Sequence, residues 1–200
     1  MKKIFPFLCA SILTVPALAE NNVFFGDKIN SITIYGAQST GSGSLLKMIQ
    51  PGIWDVSPQT FVMAQYSQPI KFFRLDSRLN LNVWQNFAYN SSKGLSFFGM
   101  GISVDSALLQ YKGWYMGIGI GPFMRDHMDY WVESRLVFEE KFFIGKNINE
   151  RWNFEIATIH FSNGNFTNKN EGFNFAGVSI GYKFWKLRKR PYGNFIKNIT

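Results

Sequence analysis

The segment Ser77-Arg78-Leu79-Asn80-Leu81-Asn82-Val83, continuing to Tyr89, alternates strictly between polar and apolar residues. On an extended strand successive side chains point to opposite sides, so Arg78, Asn80 and Asn82 share one face and Leu79, Leu81 and Val83 the other. Residues 130–143 repeat the pattern: Glu133, Arg135, Glu139 and Lys141 are opposed by Val132, Leu136, Phe138 and Phe142. Charges of both signs on one face would fill a small barrel interior as a paired polar network, leaving the apolar face to meet lipid. A soluble lipocalin-like barrel would invert this arrangement, and parity alone does not say which face is inside. Mixed charge clustered along two strands favours the lipid-facing exterior.

Working outward, eight strands are expected at residues 31–38, 60–72, 77–89, 95–104, 114–124, 130–143, 152–162 and 173–185, with no convincing helical period. A single helical turn at 45–48 would not change the class. The fold class expected is therefore all-β, an eight-stranded antiparallel up-and-down transmembrane β-barrel. An even strand number puts both termini on one side. With that side periplasmic, residues 71–76 form a short turn, 38–60 the longest external loop, and strand seven runs outward. Gly117, Gly119 and Gly121 recur at alternate positions in strand five, where bulky neighbours in a tightly curved barrel would need the space.

The first nineteen residues begin Met1-Lys2-Lys3, run apolar from 4 to 17 and end Ala17-Leu18-Ala19. That is the layout of a secretory signal peptide cleaved before Glu20. A membrane-spanning helix is the poorer reading, since the stretch is short and contains Pro6 and Pro16. Residues 20–185 then make the barrel domain, and 186–200, opening with Lys186-Leu187-Arg188-Lys189-Arg190, a basic C-terminal extension. The only cysteine, Cys9, leaves with the signal, which excludes a cysteine nucleophile. Removing Lys2 and Lys3 leaves 19 basic against 13 acidic side chains, a mature charge of +6. For an exported chain such a balance points to anionic lipid or lipopolysaccharide rather than nucleic acid. Together these features place the chain in the outer membrane of a Gram-negative cell.

Chemistry concentrates in Ile159-His160-Phe161-Ser162-Asn163-Gly164. His160 and Ser162 fall on one strand face, and a base beside a hydroxyl is the minimum apparatus for nucleophilic acyl transfer. The same face carries Trp152, Phe154, Ile156 and Thr158, a greasy strip suited to a lipid substrate. If the next hairpin folds symmetrically about Thr167, His160 lies opposite Asn174, followed on that face by Ala176, Val178 and Ile180. Polar side chains facing hydrocarbon are costly, which favours a functional reason for them. His127, in Arg125-Asp126-His127-Met128-Asp129, reads as part of a solvated turn rather than a metal site.

The runs His160-Phe161-Ser162-Asn163, Asn170-Glu171-Gly172-Phe173-Asn174 and Ile180-Gly181-Tyr182-Lys183-Phe184 resemble the outer-membrane lipid A 3-O-deacylases of the PagL type. Gln65-Tyr66-Ser67-Gln68-Pro69, Gly101-Ile102-Ser103-Val104-Asp105 and Phe143-Ile144-Gly145 fit the same pattern. The resemblance implies an esterase that removes the 3-hydroxyacyl chain from the 3-position of lipid A, with lipopolysaccharide and outer-membrane lipids as partners. It implies Ser162 as nucleophile, His160 as general base and Asn163 as an oxyanion donor. The acyl chain would lie along Trp152, Phe154, Ile156 and Val178, with no cofactor and no metal. The best-known deacylases carry Glu where this chain has Asn174, the expected third member; Glu171, in the loop, is the alternative carboxylate. A homodimer is compatible with such a barrel. The contrasting function is a non-enzymatic barrel for adhesion or envelope integrity.

Overall fold

The computed structural model describes residues 29–43, 59–89, 96–129 and 131–184. The expected signal peptide, the extension 186–200 and the turn at 45–48 lie outside the described residues. The strands are β1 (Ser31–Ser42), β2 (Gln59–Phe72), β3 (Leu75–Ala88), β4 (Phe97–Tyr111), β5 (Trp114–Arg125), β6 (Leu136–Asn147), β7 (Trp152–Ser162) and β8 (Phe173–Lys183). Each pairs antiparallel with the next, and β8 closes on β1 with Ile34 opposite Ile180. Two of the hairpins turn on two residues, Phe73-Arg74 (φ 46° and 67°) and Lys112-Gly113 (φ 47° and 79°). Positive φ at both positions matches the right-handed twist of the flanking strands. These turns share one end of the barrel with residues 148–151, the start of β1 and the end of β8.

Parity divides the strands as the alternation foretold. Arg78, Asn80 and Asn82 are buried inside, while Leu79, Leu81 and Val83 are exposed outside. The outward face is apolar all the way round: Ile34, Val62, Leu81, Met100, Ile120, Ile144, Ile156 and Ile180, one from each strand, are exposed. This is the surface that hydrocarbon requires and the inverse of a soluble lipocalin-like barrel.

The interior has two halves, and only one is the expected polar network. Toward the short turns, Arg78 donates to Asp105 (2.8 Å) and to both oxygens of Glu155 (2.8 and 3.0 Å). Lys141 Nζ lies 2.7 Å from the same Asp105 carboxylate. Tyr35 and Tyr115 both donate to Glu155, at 2.6 and 3.0 Å. Gly119 lets this network cross the lumen, since a Cβ there would meet Asp105 Oδ1 at 2.2 Å. The other half is an aromatic plug, in which Phe161 stacks on Trp84 (ring centroids 4.5 Å apart) and on Phe173 (5.2 Å). Arg125 caps this plug, its guanidinium 5.1 Å from the Phe97 ring.

Strand six begins later than expected. Glu133 and Arg135 are exposed outside the sheet, and Val132 is fully buried. Asp129 Oδ1 accepts from the N–H groups of Trp131 and Val132, both at 2.8 Å, and Arg125 donates to the carbonyls of Val132 and Ser134. Side-chain hydrogen bonds to the backbone thus hold residues 131–134 in a loop and override their alternation.

Candidate active site

The expected pair sits at the end of β7 away from the short turns, and β7 spans the anticipated residues. Phe161 points inward and is fully buried in the aromatic plug, so its neighbours His160 and Ser162 must project outward. His160 lies opposite Asn174 on β8, and the two side chains meet: Nδ1 and Oδ1 are 2.7 Å apart. The Asn174 amide is oriented by its own donation to the Gly43 carbonyl (3.5 Å). With Nδ2 committed there, Oδ1 faces the ring and must accept from Nδ1–H. The imidazole is therefore held with its lone pair on Nε2, the tautomer a general base requires.

Gly43 reaches this position through a bulge. The β1–β8 register shifts between Ser39 and Gly41, leaving Thr40 as the extra residue. Bulges re-aim the end of a strand, and here the end closes over the histidine. Gly172 closes the other side with φ +68°, and a Cβ on it would stand 2.5 Å from His160 Cε1. His160 is consequently only 4% exposed although it faces outward.

Ser162 is half-buried opposite Phe138 of β6. Among the described residues, its hydroxyl has no hydrogen-bond partner, and Nε2 of His160 is turned toward β6. Catalytic hydrogen bonds are often open before substrate arrives, so shared face and proximity are the relevant geometry. Phe138 packs against the exposed Phe166, the rings tilted with centroids 5.6 Å apart.

The remaining expected residues divide. Ile156 faces Val178 across the β7–β8 pair, both exposed, and Phe154 faces Ile180. Trp152 lies at the opposite end of β7, packed on Tyr182 (4.8 Å). At about 3.3 Å per residue it is roughly 26 Å along the strand from His160, beyond the reach of one ~15 Å leaflet of hydrocarbon. Asn163, the expected oxyanion donor, has its donors engaged within the hairpin. It is fully buried, its N–H donates to Asn170 Oδ1 (2.9 Å), and its side-chain amide donates to Thr167 and to the Lys169 carbonyl. Following Ser162 by one residue, it points to the other face and fastens the hairpin. Glu171 is exposed in the loop, its N–H bonded to the Trp131 carbonyl. The carboxylate that does lie within 4 Å of the imidazole is one the sequence did not single out, Glu140 of β6, with Oε2 3.8 Å from Nε2.

Compared with known families, residues 60–183 match the lipid A 3-O-deacylase (PagL) family. The chain belongs to the PagL family. A comparison with curated protein sequences finds no match. Among solved structures, this PagL-family barrel resembles Neisserial surface protein A (NspA), with a TM-score of 0.55 and 10% identity over 78% of this chain and 97% of that one. The crystal structure of the outer membrane enzyme PagL matches with a TM-score of 0.49 and 14% identity over 78% of this chain and 98% of that one. At such identities the NspA likeness speaks for the fold alone. Family membership rests on the sequence match, which includes β7, β8 and the hairpin between them.

Proposed function

We propose that this barrel is an outer-membrane esterase that removes the ester-linked 3-hydroxyacyl chain from the 3-position of lipid A. Lipid A enters sideways from the outer leaflet, its acyl chain lying along Ile156, Phe154 and Val178. Ser162 Oγ attacks the ester carbonyl carbon while its proton passes to His160 Nε2. The tetrahedral intermediate collapses with cleavage of the bond to the sugar oxygen, and His160 returns the proton to that leaving alkoxide. Water, deprotonated by the same nitrogen, then hydrolyses the acyl-serine and releases a 3-hydroxy fatty acid.

The observation that carries this reading is the hydrogen bond between His160 and Asn174, made outside the barrel on a face otherwise given to hydrocarbon. It sets the tautomer for base catalysis, and a purely structural barrel has no use for it. Purified protein mixed with lipopolysaccharide in detergent micelles is expected to release free 3-hydroxy fatty acid. His160→Asn should abolish the release; release at the wild-type rate would refute the assignment.

A further inference from the structure

Asn174 sets the histidine tautomer but brings no charge, and the reaction makes an imidazolium in a low-dielectric surrounding. We propose that Glu140, from β6, supplies the negative charge that the β8 position lacks; this rests on the deacylase reading above. Glu140, His160 and Asn174 stand in one row across three strands, with Glu140 the register partner of His160 on the side away from Asn174. The row continues into Ile120 on β5, so the polar cluster ends there. The other outward side chains along this part of β6 are Phe138, Phe142 and Ile144. A carboxylate in that column is expensive to hold against hydrocarbon unless something compensates it. Its side chain is 27% exposed, the imidazole 6%, and Oε2 lies 3.8 Å from Nε2.

That spacing is too long for a hydrogen bond to the neutral ring but still within ion-pair range. Before reaction Nε2 keeps its lone pair for the serine proton. Once Nε2 is protonated, an ionised carboxylate at this distance favours the cation strongly in a poorly screened site. Glu140 takes no proton itself. It acts through His160 and is a positioning residue, with its charge on the opposite side of the ring from where the best-known deacylases carry an acid.

The test moves the charge. Glu140→Gln, Asn174→Glu and the double variant are compared by lipopolysaccharide deacylation and by the rate at which a fluorophosphonate labels Ser162, which reads nucleophile activation without the lipid substrate. Folding of each is checked by the heat-dependent gel mobility of the barrel. Glu140→Gln is expected to lower kcat and the labelling rate about a hundredfold, as when one preorganised electrostatic partner is removed, with KM changed by less than about threefold. Adding Asn174→Glu to that variant should recover at least about tenfold, which a packing defect at position 140 would not allow. Wild-type rates in Glu140→Gln, or a folded double variant no faster than Glu140→Gln, would overturn the proposal. A wild type that labels but spares lipopolysaccharide would count against the substrate, and the labelling rates alone would then decide on Glu140. A wild type that does neither would overturn both readings.

Discussion

Two glycines in the β7–β8 hairpin make a matched experiment on the site. Gly172 and Gly164 have nearly the same backbone, with φ +68° and +62°. Alanine at either position carries the left-handed penalty of about 1–2 kcal/mol. Their surroundings differ. A Cβ at 164 meets Phe138 at 3.6 Å, an ordinary contact, whereas at 172 it stands 2.5 Å from His160 Cε1 and 2.9 Å from the Gly43 carbonyl. To restore van der Waals contact the imidazole must retreat by roughly 1 Å, which opens its 2.7 Å bond to Asn174 and, at the usual sensitivity of near-attack geometry, costs about a hundredfold in rate. Both variants should lose unfolding free energy in urea titrations, Gly172→Ala by about 1–3 kcal/mol more because its Cβ is overpacked. Deacylation should fall about a hundredfold in Gly172→Ala and less than about threefold in Gly164→Ala. Equal activities in the two variants would refute the claim that Gly172 seats the histidine.

Other consequences concern the barrel itself. Leu81→Arg places a charge on the exposed apolar face of β3 and should cost about 2–4 kcal/mol of stability in lipid vesicles, falling toward zero in urea-unfolding measurements if that face were solvated instead. Arg78→Leu removes the guanidinium that pairs with the buried carboxylates of Asp105 and Glu155, leaving Glu155 its tyrosine donors but no hydrogen-bonded cation, and should lower the unfolding free energy by about 3–5 kcal/mol, read from the urea midpoint. Asn163→Ala removes the side-chain bonds to Thr167 and the Lys169 carbonyl and the acceptor of the Asn165 N–H, for a loss of roughly 2 kcal/mol. Its kcat at low temperature, with the hairpin still folded, should stay within about tenfold of wild type; a far larger drop would establish it as an oxyanion donor.

The strand pattern was legible because a face change at every residue is hard to produce by chance. Strand seven was found at its observed limits and His160 was matched to Asn174 by counting across the hairpin. Alternation does not mark where pairing stops. Residues 132–135 alternate, yet Asp129 and Arg125 capture their backbone, and no periodicity records such a competing hydrogen bond. The aromatic plug was legible in principle, since Trp84, Phe161 and Phe173 share inward parity. Charged residues on the same inward face are the stronger signal and mask it. Parity also argued against Asn163, one residue past Ser162 and so on the opposite face. Glu140 was out of reach for another reason. It has the opposite parity to Glu139 and Lys141, and its place beside His160 depends on the β6–β7 register, which the sequence does not state.

Mass spectrometry of lipid A from cells expressing the wild type or Ser162→Ala tests the deacylase assignment most directly. Loss of one 3-hydroxyacyl chain with the wild type and intact lipid A with Ser162→Ala is the expected result. Equal deacylation by both, or intact lipid A from both with each barrel folded in the outer membrane, would contradict it.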